Sequence, residues 1–127
     1  DGSSYQGNWK DGKWHGYGEE CYPDGSVYKG YWVNGLKHGY GEMHILDRTY
    51  YKGNYENGKM HGYGEYYYSN GGYRKGTWKD DKFLEGEALF SDGSSFVGKY
   101  RDDLPYEGIY CDEYGIYHGM QNGKLID

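Results

Sequence analysis

Aromatic residues and glycines alternate along this chain in short stretches of polar-apolar rhythm, and the rhythm itself repeats. The frame Tyr5-x-Gly7-x-Trp9-x-x-Gly12-x-x-His15-Gly16-x-Gly18 returns as Tyr28-x-Gly30-x-Trp32-x-x-Gly35-x-x-His38-Gly39-x-Gly41. It returns again as Tyr51-x-Gly53-x-Tyr55-x-x-Gly58-x-x-His61-Gly62-x-Gly64, so the period is 23 residues. A period of this size marks a stacked-repeat architecture. Alternation of period two predicts strands, and Asp11-Gly12, Asn34-Gly35, Asn57-Gly58 and Asn122-Gly123 predict tight hairpin turns, because Asn, Asp and Gly accept the positive φ those turns require. Asp24-Gly25-Ser26 and Asp92-Gly93-Ser94 predict a second turn per repeat. Two turns per period imply an antiparallel meander of about a dozen strands.

The array divides into repeats at 5–27, 28–50, 51–73, 74–95 and 96–116, with a partial copy at 117–127. The fourth and fifth repeats depart from the frame. Arg74 takes the first Tyr position and Phe96 the next; Gly76 and Trp78, then Gly98 and Tyr100, keep the following positions. Both repeats are one residue short between Asp80-Asp81 and Glu85-Gly86, and between Asp102-Asp103 and Glu107-Gly108, and both lose His-Gly.

Side-chain alternation assigns faces. An even-length turn at Asp11-Gly12 sets Trp9 opposite Trp14, Gly7 opposite Gly16 and Tyr5 opposite Gly18. The next turn then sets Tyr22 opposite Tyr28 and Gly18 opposite Trp32. One face gathers the rings and the glycines, including Tyr5, Trp9, Tyr28, Trp32, Met43, Ile45, Tyr51, Tyr55, Met60, Tyr66 and Tyr68. Bare glycine backbone lets the rings lie flat, which explains glycine inside strands that it ordinarily weakens. The other face gathers His15, His38 and His61, then Tyr17, Tyr40 and Tyr63, then Glu19, Glu42 and Glu65 with Lys29, Lys52 and Lys75. A single sheet of this kind buries its apolar face only by curling or by meeting a partner.

Composition supports an all-β reading. The 127 residues include 24 Gly, 19 Tyr and 4 Trp, but Ala88 is the single alanine. Strands favour Tyr and Trp, whereas helices favour Ala and are weakened by Gly. Mean hydropathy is −1.14, so the core must be built from rings, each burying roughly 150–250 Å². Net charge is −6, which opposes nucleic-acid binding, since that rests on cations neutralising phosphates. No tract of four to eight Lys or Arg offers an anionic membrane a landing site.

Catalytic and metal chemistry find little footing. Equivalent histidines of successive repeats stand two strands apart, roughly 9.6 Å, whereas Zn–N distances are about 2.0–2.1 Å. The Gly-x-Gly elements lack the Lys-Ser/Thr ending of a phosphate loop. Cys21 and Cys111 fall four repeats apart, too far for a disulfide, and read as free thiols of a reducing, cytoplasmic compartment. The expectation is therefore no enzyme, no cofactor and no metal.

The thrice-repeated frame resembles the MORN (membrane occupation and recognition nexus) repeat over nearly the whole chain. The resemblance implies an elongated, grooved, single-layer antiparallel sheet, solenoid-like, of stacked hairpins. It also implies a scaffold role in cytoskeletal, flagellar or membrane-associated assemblies, with protein or phospholipid partners and, in some members, dimerisation. The leading expectation is a protein-interaction module that holds a partner helix or extended segment along the aromatic groove. The candidate contacts are Tyr5, Trp9, Tyr28, Trp32, Tyr51, Tyr55, Tyr66, Tyr68, Trp78, Phe96 and Tyr100. Self-association through the terminal strands, attachment to membrane lipid, a regulatory role beside an enzyme domain and glycan binding are the competing classes.

Overall fold

A computed structural model describes residues 2–126 as one antiparallel sheet. Its first six strands are β1 (Ser4–Lys10), β2 (Lys13–Cys21), β3 (Val27–Val33), β4 (Leu36–His44), β5 (Tyr50–Glu56) and β6 (Lys59–Tyr67). The others are β7 (Tyr73–Lys79), β8 (Lys82–Leu89), β9 (Ser95–Arg101), β10 (Leu104–Cys111), β11 (Tyr117–Gln121) and β12 (Lys124–Leu125). The 12 strands lie side by side in sequence order, so β1 and β12 are the two edges. The all-β meander is as expected.

The hairpin turns follow the turn chemistry. Asp11 and Gly12 have φ of 51° and 77°, and Asn34-Gly35, Asn57-Gly58 and Asn122-Gly123 behave alike. The shortened repeats keep the same turn without glycine: Asp80 and Asp81 stand at 49° and 70°, Asp102 and Asp103 at 52° and 67°. Asp is among the few side-chain-bearing residues that tolerate this region. Several of these turns are also pinned to the hairpin before them. Gly35 N–H donates to the Trp14 carbonyl (2.8 Å), Gly58 to Lys37 (2.9 Å) and Asp81 to Met60 (3.1 Å).

The pairing register corrects the expectation in two places. Trp9 does face Trp14, but Gly7 faces Gly18 and Tyr5 faces Glu20. Two more residues lie on β2 than on β1 between these pairs. This bulge contains Gly16, whose φ of 78° places it in the left-handed region; Gly39 and Gly62 repeat it at 84° and 89°. The second correction is at the next turn, where Glu20 faces Tyr28 and Gly16 faces Trp32. Tyr22 N–H bonds to the Ser26 carbonyl at 2.9 Å, and the Asp24 carboxylate accepts from Ser26 N–H at 2.8 Å, which closes the loop two positions earlier than expected. Both shifts are even, so the ring and polar side chains come out on the faces assigned; Gly16, expected among the rings, instead turns toward the other face, where a Cβ would meet the Asn8 side chain. In the fourth and fifth repeats the bulge shrinks to one residue, Leu84 and Tyr106 respectively.

The core is the aromatic face. Tyr28, Trp32, Tyr51, Tyr55, Trp78, Phe83, Ala88, Phe96 and Tyr100 are buried. Tyr5, Tyr28 and Tyr51 each lie over a glycine of the following strand. A Cβ added at Gly18, Gly41 or Gly64 would sit 2.1, 2.2 or 2.0 Å from the respective Tyr hydroxyl. Each of these hydroxyls donates to a carbonyl three residues on: Tyr5 to Asn8 (2.8 Å), Tyr28 to Tyr31 (3.1 Å) and Tyr51 to Asn54 (3.0 Å). Phe96 fills the same slot without the bond, so the ring alone suffices for packing. Tyr28→Phe is accordingly expected to lose only about 1 kcal/mol, checked by urea unfolding at unchanged m-value.

The opposite face carries a ladder of alternating charge. Glu19, Lys29, Glu42, Lys52, Glu65, Lys75 and Glu87 are successive cross-strand partners. Such opposite-sign neighbours favour this register, whereas a slip by one residue would lose them. Tyr17, Tyr40 and Tyr63 stand exposed beside the ladder. Tyr63 and Tyr67 both donate to the Glu65 carboxylate, which holds it below the usual carboxylate range, with the Tyr67 bond as the main cause.

Candidate partner-binding face

The rings of the aromatic face form a herringbone that runs across repeats. Tyr5 meets Trp32 at 89°, Trp32 meets Tyr28 at 81°, and Tyr28 meets Tyr55 at 90°. Tyr55 then meets Tyr51 at 86°, and Tyr51 meets Trp78 at 83°. Centroid separations along this series are 5.1–5.7 Å, the edge-to-face geometry in which a ring's positive rim meets its neighbour's negative face. Trp32 and Trp78 also donate their indole N–H to the carbonyls of Gly18 (3.3 Å) and Gly64 (3.1 Å). The polar end of each buried indole is thereby satisfied. Desolvation raises the hydroxyl pKa of Tyr28, Tyr51 and Tyr55, so these groups stay neutral in any physiological buffer.

Seven of the eleven candidate contacts (Tyr28, Trp32, Tyr51, Tyr55, Trp78, Phe96 and Tyr100) are buried in the chain by itself. They are its core, and a docked partner would reach them only through what lies above. The other four are accessible: Trp9 is 58 % exposed, and Tyr5, Tyr66 and Tyr68 are half-buried. Trp9 stands at the end of β1 against Trp14, which in turn stacks on Tyr5 at 4.4 Å.

Sequence reasoning placed Met60 on the ring face and Trp14 opposite Trp9, but missed that both belong to one row with Lys37 and the buried Phe83. Trp14, Lys37, Met60 and Phe83 take equivalent places, opposite Trp9, Trp32, Tyr55 and Trp78. The signal was present as a 23-residue spacing, but the changing chemistry from Trp to Lys to Met to Phe hid it. Lys37 is the unusual member. Its ammonium lies 5.1–5.5 Å from the centroids of Tyr28, Tyr22 and Trp32 and donates to the Tyr22 hydroxyl at 2.8 Å. Glu20, buried on the same face, stands 3.9 Å away. Burial lowers the Lys37 pKa and the Glu20 charge works against that fall. Cation and carboxylate thus compensate each other within the ring face.

Arg74 occupies the slot of Tyr5, Tyr28 and Tyr51. Its guanidinium carbon lies 4.9 Å from the Tyr100 centroid and 5.9–6.0 Å from those of Phe83 and Tyr68. The side chain therefore stacks on rings rather than standing free. The histidines do not converge: His15 accepts from Asn34 N–H at 3.5 Å, while His61 lies 3.5 Å from Glu56. Among the described residues no three His, Cys, Asp or Glu side chains could hold a metal ion together. Cys21 and Cys111 are both free.

A one-layer sheet of stacked hairpins, joined to one another by ring contacts such as Tyr5–Trp32, Tyr28–Tyr55 and Tyr51–Trp78, defines a solenoid-like repeat protein. The MORN repeat profile matches residues 5–27, 28–45 and 51–73, just over half of the 127 residues, and the chain belongs to the MORN repeat family. A comparison with curated proteins gave no match. Repeats of this family are generally protein- or membrane-interaction modules and typically non-catalytic. Among the described residues no helix is long and apolar enough to cross a membrane.

Proposed function

We propose that this chain is a non-catalytic scaffold module that holds a helix or an extended segment of a protein partner along its aromatic face. One observation carries this reading: half-buried Tyr5, Trp14, Tyr22, Met43, Met60 and Tyr66 pack against the buried rings and leave part of their apolar surface open. Aromatic residues and Met are enriched at protein interfaces, Tyr and Trp anchor them, and Met adapts to the partner's shape. The buried herringbone beneath supplies a rigid floor, so little ordering cost falls on this chain when a partner docks. The acidic net charge of −6 favours protein over anionic lipid.

Capture from a native lysate in reducing buffer, with mass spectrometry, tests this. The double variant Trp9→Ala with Tyr68→Ala removes two accessible rings from the aromatic face without touching the core. It is expected to weaken capture of the recovered partner at least tenfold while leaving the melting temperature within a few degrees, since interface anchors carry about 2 kcal/mol each. Tyr40→Ala with Tyr63→Ala, on the charge-ladder face, should leave capture intact. Loss only in the second variant would move binding to the ladder face. Flotation with anionic vesicles, and no protein captured, would favour the lipid reading.

A further inference from the structure

We infer that the cavity beside Arg74 is an acidic-side-chain pocket, which receives one Asp or Glu carboxylate of an extended partner segment. The inference rests on the reading of the aromatic face as a docking surface and names what that surface reads.

The cavity holds about 240 Å³ between the β6–β7 and β8–β9 turns; Tyr68, Asn70, Arg74, Phe90 and Ser91 are among the residues that line it. Two departures from the repeat meet here, and both shift charge the same way. At the first, Arg74 replaces the Tyr of the three regular repeats. At the second, Asn70 stands where the equivalent turns have Asp24 and Asp92. Asn70 does the same turn-closing work as those carboxylates, its Oδ1 accepting from Gly72 N–H at 2.9 Å. The carboxylate charge is thus removed at this turn while the turn is kept, and the Asn amide adds a donor group. Neither change is needed for packing, since Phe96 shows that a ring fills the Arg74 slot.

Arg74 is held ready rather than used up. Its aromatic neighbours fix the plane of the guanidinium. Its one ion pair among the described residues is to Asp103 at 3.8 Å, and that carboxylate is 72 % exposed. The distance is beyond hydrogen-bond range, and the contact engages one end of a five-donor fork suited to a bidentate carboxylate. The Arg74 side chain is 24 % exposed, so an incoming anion can reach it and displace Asp103 into water. A singly charged carboxylate fits better than a phosphate. Arg74 is the one cation among the lining residues, Asp103 stands 3.8 Å from it, Asp92 follows the lining residue Ser91, and the net charge is −6; a dianion would meet more repulsion for the same single cation. Tyr68 and Phe90 give the apolar walls that the methylene stem of Glu would cover.

Two measurements test this together. In the first, N-acetylglutamate amide is titrated into the ¹⁵N-labelled protein and the backbone amide resonances of Asn70 and Ser91, which line the cavity in the wild type and in Arg74→Tyr alike, are followed. A saturating shift in the millimolar range is expected, about tenfold weaker or absent with N-acetylglutamine amide, and lost in Arg74→Tyr, which restores the regular repeat and should keep the melting temperature. An equal response to both amides, a response unchanged in Arg74→Tyr, or tighter binding of inorganic phosphate overturns the carboxylate pocket. In the second, random 12-residue peptides are displayed and selected on the wild type and on Arg74→Tyr. Enrichment of Asp or Glu at one position, on the wild type only, supports the pocket. Enrichment on both proteins without an acid preference overturns the pocket and spares the docking face. No enrichment on either protein overturns both.

Discussion

Gly64→Ala is expected to destabilise the protein by at least 3 kcal/mol, lowering its melting temperature by roughly 10 °C or more. The added methyl would stand 2.0 Å from the Tyr51 hydroxyl and 2.4 Å from its Cε1 and Cζ. No rotamer change at position 64 relieves this, because Cβ is fixed by the backbone. The Tyr51 ring must therefore leave its seat. Tyr51 is 1 % exposed and touches Tyr55 and Trp78 edge-to-face, so its displacement opens the herringbone on both sides and breaks the bond to the Asn54 carbonyl. The matched control is Gly12→Ala. Nothing lies within 4 Å of a Cβ there, and only its φ of 77° opposes the change. Backbone strain of that kind costs about 1 kcal/mol. Thermal melts of the two variants separate steric from conformational glycine. Equal losses would mean that ring-on-glycine contact is not what holds the array together.

That contrast also explains what the sequence could and could not reveal. The 23-residue frame made the hairpins, the strand order and the two faces legible, because each depends only on turn chemistry and period-two alternation. The register was not legible at Gly16, Gly39 and Gly62. These glycines are in the left-handed region and form a bulge, yet in the sequence they look the same as Gly18, Gly41 and Gly64, which lie flat beneath rings. A clue was available in the two shortened repeats. Deleting one residue from a plain strand would turn its remaining side chains to the wrong face. The apolar pattern nonetheless continues through Trp78, Ala88, Phe96 and Tyr100, so the deleted segment could not have been plain strand. Leu84 and Tyr106 are what remain of a bulge.

The aromatic face was legible as a set of rings but not as layers. Trp32 and Trp9 hold the same position in the frame, yet one is 3 % and the other 58 % exposed. The difference is positional. Trp32 has a ring-bearing hairpin on both sides, whereas β1 is an edge with no strand beyond it among the described residues. In a one-dimensional array, burial comes from neighbours, and a repeat's own residues do not record whether a neighbour exists. Which rings stay available to a partner is thus decided by the ends of the array and by the covering row, of which Trp14, Lys37 and Phe83 carried no shared signature.

Trp78→Ala is expected to cost 3–5 kcal/mol and to divide the array. Trp78 is 3 % exposed and joins the regular repeats to the shortened ones. On one side it meets Tyr51 at 5.7 Å and Tyr66 at 5.8 Å; on the other it meets Phe83 at 5.0 Å. Its indole N–H is also the donor to the Gly64 carbonyl. Ala would leave that carbonyl unpaired and a void the size of the indole at the boundary. The next link beyond it differs from its counterparts: Arg74 stands where a Tyr ring would otherwise meet Tyr100 and stacks on it at 4.9 Å, and Phe83 carries the ring series to Tyr100 at 4.9 Å. Stability in such arrays is close to a sum of repeat and interface contributions, so loss of one interface uncouples the blocks it joined. Native-state hydrogen exchange in rising urea reads this directly. In the wild type, amides of β3–β10 should lose protection together. In Trp78→Ala, those of β8–β10 should open at lower denaturant than those of β3–β5, while Trp78→Phe, which keeps a ring and loses only the hydrogen bond, should stay close to cooperative. A Trp78→Ala protein that unfolds in one concerted step would show that the backbone ladder between β6 and β8, and not the indole, couples the two halves.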